Sequence, residues 1–421
     1  MTKHRVAEVV MFSTNSWRIL VAAEFRLIAA CVVCPVVVGP STAAAQAISP
    51  TGTRATEQWT VTRDLVIGEP RATLTVVGDV LVGADGSIFV TQPQDQQVLT
   101  FAPDGELVRT IGRRGRGPGE FLDPESLGWW ADTLVVGDRG LGRISAFDPG
   151  GKLHYTVTTL VRTSVPHRPL GILANGLIVA EQSPGSDDLI VDGAVTVRPL
   201  LLLDREGATV GHLHSLSIGR HDRARVVIRV GGEPTYSFFL HPFPDSDLYD
   251  VDPEGRGVVA VSQAGVNGSE PQFAVAWLTP SGERRWTKVF SYTPQPSSAM
   301  TRDTMAALVD KFTQHPSFHG VPRGQIERSI RRDIDLPAFL APVSAVVVGS
   351  DGTIWLRREP VAADAMWMVL DDRGVPIAEV RMPFDLRVQV GKPRTARATD
   401  SGPAPKVNAG DPSSGETLID V

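Results

Sequence analysis

The sequence contains very little cysteine: two residues in 421, Cys31 and Cys34, both within one N-terminal apolar run. The rest of the chain therefore has no disulfide and no thiolate metal ligand. No later stretch is apolar enough to span a membrane. A net formal charge of −6 gives the chain no global electrostatic reason to bind nucleic acid or an anionic membrane. We therefore expect neither a nucleic-acid partner nor a transmembrane segment in the mature chain.

The N-terminal apolar run, residues 27–39, is too short to span a bilayer stably. Basic residues precede it, and Ala45-Gln46-Ala47 follows as a small-residue cleavage site. We predict a signal peptide over residues 1–47 and therefore a secreted protein, periplasmic or extracellular. The segment before the run is unusually long for a signal peptide, so the sequence leaves open whether translation starts at Met1 or at Met11.

Long amphipathic stretches are also scarce, whereas glycine (40 residues) and proline (32 residues) are abundant. This composition is typical of many short strands joined by tight turns. We therefore expect an all-β protein.

One pattern recurs along the chain: a strand, a turn with glycine, an apolar strand, a polar gap, an apolar strand, a second glycine turn and a final strand. Its five copies cover residues 78–111, 121–157, 169–211, 247–290 and 343–383. A four-stranded unit of this size does not bury both of its faces alone and must stack on its copies. The repeat predicts a β-propeller, in which such units stack radially.

The copy around residues 111–152 resembles an NHL repeat, with a Gly-rich lead-in, a Gly-Glu-Phe motif ending at Phe121, an Arg143-Ile144 pair and a closing glycine. Together with residues 58–70 and the final repeat, it makes the chain similar to the bacterial secreted 6-bladed β-propeller family. The resemblance covers nearly all of residues 48–390. It implies that a strand near Trp59 to Ile67 completes the last blade and closes the ring.

The chain departs from this pattern in three places. After Val390 it is rich in Pro, Gly, Ser and Ala, which predicts a disordered tail over residues 391–421 and an incomplete sixth blade. Residues 223–243 predict an extra hairpin with its turn at Gly231-Gly232, and residues 297–335 predict a short helical insertion. The expected fold is an all-β propeller of about six four-stranded blades over residues 48–390.

The stretch GRRGRGPGEF, residues 112–121, has the glycine content of a phosphate-binding loop. It lacks the Gly-Lys-Ser/Thr signature and the following helix that such a loop needs, so a connection between blades is favoured. A turn does not require the arginines, however. Arg113, Arg114 and Arg116 are therefore candidates for an anion-binding rim, with solvated surface charge as the alternative.

Trp130 is a second candidate ligand contact. It is adjacent to Trp129 on a predicted strand, so the two rings face opposite sides, and we expect one to pack between blades and the other to be more exposed. An exposed tryptophan suits sugar or peptide binding, and core packing is the alternative. Asp138, at the end of a strand in the same blade, is expected to bind the amides of a turn.

Histidines provide the alternative of a metal site. His167 and His241 precede blades, and His315 and His319 follow the first predicted helix of the insertion. A zinc site would need three such side chains to converge, with His167, His241 and His315 as candidates. Such a site would resemble that of the propeller lyases that cleave peptidyl-hydroxyglycine. Calcium-dependent propeller lactonases are another enzyme class, which needs Glu, Asn and Asp side chains from several inner strands.

The sequence contains no Gly-x-Ser-x-Gly elbow and no His-Glu-x-x-His motif. We therefore expect a non-catalytic binding or scaffold module for a protein, peptide or carbohydrate ligand, without a cofactor. The alternative is a zinc- or calcium-dependent lyase or hydrolase with its site at the propeller channel.

Overall fold

The computed structural model describes residues 6–13, 18–25, 56–59, 62–68, 74–159, 167–182, 197–219, 221–263, 271–358, 364–383 and 387–391. Apart from Gly391, the predicted disordered tail lies outside these residues, as does the predicted cleavage site after Ala47.

Nearly all regular structure in the described residues is β-strand, as the composition predicts. In chain order the strands are β1 (Val6–Ser13), β2 (Arg18–Phe25), β3 (Glu57–Trp59), β4 (Thr62–Ile67), β5 (Val80–Val82), β6 (Ile88–Gln92), β7 (Gln97–Phe101), β8 (Leu107–Ile111), β9 (Pro124–Trp130), β10 (Thr133–Asp138), β11 (Arg143–Phe147), β12 (Leu153–Thr158), β13 (His167–Ile172), β14 (Ile178–Gln182), β15 (Val197–Leu203), β16 (Thr209–Ser217), β17 (Arg223–Val230), β18 (Glu233–Leu240), β19 (Leu248–Val251), β20 (Val258–Ser262), β21 (Gln272–Leu278), β22 (Arg284–Ser291), β23 (Ala345–Val348), β24 (Ile354–Arg358), β25 (Asp364–Leu370), β26 (Pro376–Pro383) and β27 (Arg387–Gly391). The helices are α1 (Ser298–Gln314) and α2 (Arg323–Asp333), separated by a 3₁₀ turn at Pro316–Phe318. In these ranges no helix is both long and apolar enough to cross a membrane.

The five sequence repeats correspond to five blades of consecutive antiparallel strands. Blade 1 contains β5 to β8, blade 2 β9 to β12, blade 3 β13 to β16, blade 4 β19 to β22 and blade 5 β23 to β26. Burial decreases from the middle to the outer edge of a blade. In blade 1 the whole of β6 is buried, whereas four of the five residues of β8 are exposed. The propeller predicted from the repeats is therefore confirmed.

Apolar side chains between neighbouring blades hold the ring together. Phe89 of blade 1 packs with Phe121 and Phe147 of blade 2 in one buried cluster. Blades 4 and 5 share a second cluster that includes Phe273 and Met368. Each blade thus buries its apolar faces against the neighbouring blades. This packing is the physical reason why the four-stranded unit is repeated.

The sixth blade combines strands from both ends of the chain, in the order β27, β2, β1, β4. β4 is its outer strand, so residues near Ile67 close the ring as the family resemblance implies. β3 instead adds a fifth, parallel strand to blade 5, with Trp59 packed near Trp355 at 6.1 Å between ring centroids. Its two middle strands, β1 and β2, come from residues 6–25.

This pairing bears on the predicted signal peptide, because β1 and β2 lie within residues 1–47. Val10 of β1 pairs with Val66 of β4, and Leu20 of β2 pairs with Gln389 of β27. Cleavage after Ala47 would remove both middle strands. Signal-peptide cleavage stays a prediction, and its consequence for the sixth blade is measurable.

We expect a chain lacking residues 1–25 to have a lower thermal unfolding midpoint than the full chain, because β4 and β27 lose their hydrogen-bonded neighbours. Calorimetry on both proteins measures the difference. Deletion of residues 1–5, which precede β1, is the matched control and should leave the midpoint unchanged. Equal midpoints for all three proteins would show that β1 and β2 do not support the ring.

The two predicted insertions pack against each other and form a separate small core. One face of the β17–β18 hairpin contributes Val226 and Ile228, and the helices contribute Phe312 and Ile330. The hairpin turns at Gly231-Gly232, as the sequence predicts, with both glycines at positive φ. The helical insertion therefore covers one face of the hairpin rather than extending a blade.

Candidate functional site

The Gly-rich stretch, residues 112–121, is a tightly packed connection from blade 1 to blade 2. Gly112 has φ +76°, and a Cβ at this position would lie 2.2 Å from the ring of Phe121. The buried guanidinium of Arg143 donates hydrogen bonds to the carbonyls of Arg116 (3.1 Å), Gly117 (2.8 Å) and Glu120. The glycines and Arg143 therefore serve the backbone, as the turn interpretation predicts.

The three arginines of this stretch are exposed. Arg113 forms an ion pair of 3.0 Å with Glu120, but its side chain is 82% exposed, so the pair contributes little to stability. Neither Arg114 nor Arg116 lines the channel cavity described below. Anion binding by Arg113, Arg114 and Arg116 stays a prediction.

Asp138 is fully buried and binds three backbone amides. It accepts hydrogen bonds from Leu122 N (2.9 Å), Asp123 N (3.1 Å) and Leu141 N (2.9 Å). The prediction that it binds the amides of a turn is confirmed.

We expect Asp138→Ala to lower the free energy of unfolding by about 3 kcal/mol, because three buried amides lose a charged acceptor. Asp132→Ala, at an exposed turn of the same blade, is the matched control and should change stability by less than about 0.5 kcal/mol. Chemical denaturation of both variants gives the comparison. Similar losses in the two variants would contradict this role for Asp138.

Both tryptophans of blade 2 are half-buried between blades. Trp129 packs edge-on against Phe89 of blade 1 at 5.4 Å, and Trp130 packs edge-on against Tyr155 at 6.0 Å. The guanidinium of Arg205 lies 4.5 Å from the ring centroid of Trp130. The rings face opposite sides of the strand, as expected, and both are half-buried. Each faces a neighbouring apolar cluster. Ligand binding by Trp130 stays a prediction.

The candidate metal-ligating histidines contact different parts of the fold. His167 is buried at the start of β13. His241 is buried near the base of the β17–β18 hairpin, where its Nε2 lies 2.8 Å from the carbonyl of Asp335, and burial lowers its pKa. His315 is exposed and its Nδ1 accepts a hydrogen bond from Ser317 N at the 3₁₀ turn. Within the described ranges, no group of three or more His, Cys, Asp or Glu residues is placed to hold a metal ion.

A cavity of about 410 Å³ lies where the inner strands of blades 2, 3 and 4 face one another. The turn after β19 lies in the wall of this cavity and crosses to two other blades. Pro253 O accepts a hydrogen bond from Trp129 N (2.6 Å), and Gly255 O accepts one from Ala174 N (2.8 Å). The turn therefore joins blades 2, 3 and 4 beside the pocket.

Alternating charges line this pocket and form a continuous chain, which we call the channel network: Glu125, Arg168, Glu181, Arg198 and Asp222. Arg168 Nε donates to Glu125 at 2.9 Å, and its Nη1 lies 3.5 Å from Glu181. Arg198 joins Glu181 (3.1 Å) to Asp222 (3.2 Å). The side chain of Arg168 is 38% exposed and that of Glu181 only 7%, so the network runs from the interior to solvent.

Two hydroxyl groups complete the channel network. Ser246 Oγ donates to Asp222 at 2.6 Å, and the Tyr249 hydroxyl donates to Glu181. Burial, together with the charge of Glu181, raises the pKa of Tyr249 well above its usual range. The phenol therefore stays protonated and acts as a donor at neutral pH.

No member of the channel network was predicted from the sequence. Four of its members come one each from β9, β13, β14 and β15, and Asp222 precedes β17, so no local motif joins them. A usable signal was the charge within apolar strands, as at Glu181 in IVAEQ and Arg198 in VRPLLLL. Charged residues are almost never fully buried unless they are paired.

Four aspartates in the pocket wall bind backbone amides instead: Asp79, Asp247, Asp250 and Asp252. The pKa of Asp250 is strongly shifted. The carboxylate accepts hydrogen bonds from Val251 N (3.0 Å) and Val348 N (2.7 Å), yet burial raises its pKa to about 8. Asp79 adds to the rise through charge repulsion.

The raised pKa of Asp250 predicts a pH dependence of stability. Between its unfolded value of 3.8 and about 8, the folded chain retains a proton that the unfolded chain has lost. This contribution to stability therefore falls as the pH rises through that interval, by up to about 1.4 kcal/mol per pH unit.

Asp250→Asn removes this titration, so the stability difference between the wild type and the variant should shrink from pH 5 to pH 8. Denaturant unfolding of both proteins at several pH values measures it. Parallel pH profiles would show that Asp250 does not titrate in this range.

A closed ring of four-stranded blades around a central channel defines a β-propeller, and this one has six blades among the described residues. Residues 73–148 match a family model described as 6-bladed beta-propeller. The match spans blade 1 and the first three strands of blade 2, including the Gly-rich connection. It confirms the resemblance inferred from that connection. No curated protein matches the sequence.

Solved structures of similar fold include a catalytically inactive virginiamycin B lyase from Staphylococcus aureus with quinupristin, with 9% identity, a TM-score of 0.34 and coverage of 89% of this chain and 84% of that chain. A calcium-binding protein, regucalcin, from Agrobacterium tumefaciens has 11% identity, a TM-score of 0.34 and coverage of 75% and 77%. Apo AztD from Citrobacter koseri has 9% identity, a TM-score of 0.35 and coverage of 91% and 98%. With TM-scores below 0.5, these similarities carry no argument about the activity of this chain.

Proposed function

We propose that this protein is a non-catalytic binding module and that the channel pocket holds its ligand. The observation that supports this proposal is the channel network. Apolar clusters join the blades and aspartates bind the backbone amides of the inner strands, so the ring itself does not need two arginines and three carboxylates in its channel. The pocket volume also lies within the usual range for small-molecule sites, about 300–1,000 Å³.

The charges of the pocket indicate the chemistry of the ligand. After the four amide-binding aspartates are set aside, Glu125, Glu181 and Asp222 face Arg168 and Arg198. A ligand that exchanges hydrogen bonds with this network must bring donors to the carboxylates and an acceptor to Arg168, the more exposed of the two arginines. Carbohydrate hydroxyls, or the amides and termini of a peptide, satisfy both requirements.

We also propose that the protein is exported, since residues 27–39 and the Ala45-Gln46-Ala47 site have the pattern of a signal peptide. The intact mass of the chain recovered from the periplasm or the medium tests this proposal. A mass that includes residues 1–47 would contradict cleavage and would agree with the four-stranded sixth blade.

The binding proposal is tested by thermal unfolding in the presence of a panel of monosaccharides, disaccharides, amino sugars and dipeptides. We expect at least one compound to raise the unfolding midpoint, because a ligand that binds only the folded state stabilises it. Arg168→Met keeps the bulk of the side chain but removes its charge, and should weaken binding of that compound by at least about tenfold.

Arg139→Met is the matched control. Arg139 binds the same carboxylate, Glu125, at 2.8 Å, but it does not line the pocket. Equal loss of binding in the two variants would show that the channel network affects ligand binding only by stabilising the folded chain, and not by contacting the ligand. Stoichiometric zinc or calcium in the purified protein, found by elemental analysis, would contradict a non-catalytic module and favour the metal-dependent alternative.

A further inference from the structure

The β17–β18 hairpin has two different faces. One face packs on the helices through Val226, Ile228 and Phe239. The opposite face presents a row of exposed apolar side chains on alternate residues of β18: Tyr236 (57% exposed), Phe238 (42%) and Leu240 (68%). An apolar row of this kind on an otherwise polar surface is typical of an interaction site.

The two edges of the hairpin also differ. The β17 edge is covered by α2: Asp333 accepts a hydrogen bond from Val227 N (2.8 Å), and Arg332 donates one to Val227 O (3.0 Å). The N–H and C=O of Val227 therefore both point away from β18. In an antiparallel pair the opposite residue does the same, so the N–H and C=O of Tyr236 point away from β17. The backbone N–H and C=O of Phe238 and Leu240, at every second residue of β18, point away from β17 in the same way. Among the described strands, β18 has no second neighbour.

Charge on the exposed face indicates the chemistry of a partner. Arg225 and Arg229 are exposed and lie on the same face as the apolar row, with Arg225 directly opposite Phe238. Arg225 lies within electrostatic range of Asp333 of α2, and Arg229 Nη1 donates to Gly232 O at 2.8 Å. Within β17 and β18 the one acidic residue is Glu233, which alternation places on the other face. A strand added beside β18 would lie about 10 Å from β17, within the combined reach of an arginine and a glutamate side chain.

We propose that the free edge of β18 binds an extended polypeptide segment of another protein, in which apolar and acidic side chains share one face. Its backbone would add a third strand to the hairpin, a recognised mode of peptide binding. Its apolar side chains would lie beside Tyr236, Phe238 and Leu240, and its carboxylates would face Arg225 and Arg229. This site is separate from the channel pocket.

Two other occupants fit the observations less well. A lipid surface cannot satisfy the backbone groups of a free strand edge, and the hairpin carries Glu233 beside its turn, which anionic lipid would repel. A second copy stacked through the same face would place arginines opposite arginines. The free edge and the positive charge together favour an acidic strand.

The probe is a short synthetic peptide in which Glu and Val alternate along one face and Thr occupies the other, compared with a peptide that has Lys in place of Glu. Titration calorimetry with the full chain should show saturable binding of the Glu peptide, and binding of the Lys peptide at least about tenfold weaker. Arg229→Glu should reverse this preference without affecting the fold, because Arg229 is an exposed surface residue.

Backbone pairing is tested by comparing Phe238→Pro with Phe238→Ala. Both remove the ring, but only proline removes the outward N–H, which the hairpin itself does not use. The proline variant should bind the Glu peptide at least about tenfold more weakly than the alanine variant. Val210→Ser, at an exposed apolar residue of blade 3, is the control and should leave binding unchanged.

Several results would overturn the proposal. These are no saturable binding of the Glu peptide, equal affinity for both peptides, and equal loss in Phe238→Pro and Phe238→Ala. Binding to phosphatidylglycerol vesicles without binding to the peptide would assign the face to a membrane surface. Dimerisation that Phe238→Pro abolishes would assign the edge to a second copy of this chain.

Discussion

At two junctions of the ring, a half-buried aspartate of one inner strand accepts a backbone amide from the next, and the wall of the channel depends on these contacts. The inner strands of neighbouring blades do not pair with each other, so their channel-facing amides need another acceptor. Asp79 of blade 1 supplies one to Leu127 N of blade 2 at 2.8 Å, and Asp250 of blade 4 supplies one to Val348 N of blade 5 at 2.7 Å. One oxygen of each binds the amide of its own strand, which fixes the carboxylate between blades.

The same constraint determines where a ligand site is available. The aspartates in the pocket wall already accept hydrogen bonds from backbone amides, and the turn at Pro253 to Gly255 bonds to blades 2 and 3. The remaining polar side chains lie toward blade 3, where Arg168 and Arg198 join carboxylates from three parts of the chain. The charged side chains that can contact a ligand therefore lie where they are not needed to bind backbone amides.

The sequence was sufficient for those parts of the fold that are specified locally. Turns with glycine and apolar strands recur from blade to blade, so the five blades and the hairpin turn at Gly231-Gly232 were predictable. The sixth blade was not, because β1 and β2 pair with strands as distant as β27. The apolar run that follows them suggested a signal peptide instead. The half-buried position of Trp130 depends on Tyr155 and Arg205, which belong to other strands and another blade.

The site was less predictable than the fold for a related physical reason. A blade repeats its structural residues, whereas the channel network takes single side chains from different strands, and pattern recognition detects only the former. The network also connects the pocket to the β17–β18 hairpin. Asp222, its last member, immediately precedes β17, and its carbonyl accepts a hydrogen bond from His241 N (3.0 Å), which follows β18. The base of the hairpin and the rim of the pocket thus share one residue, so the geometry of the pocket constrains where the hairpin and its free edge can lie.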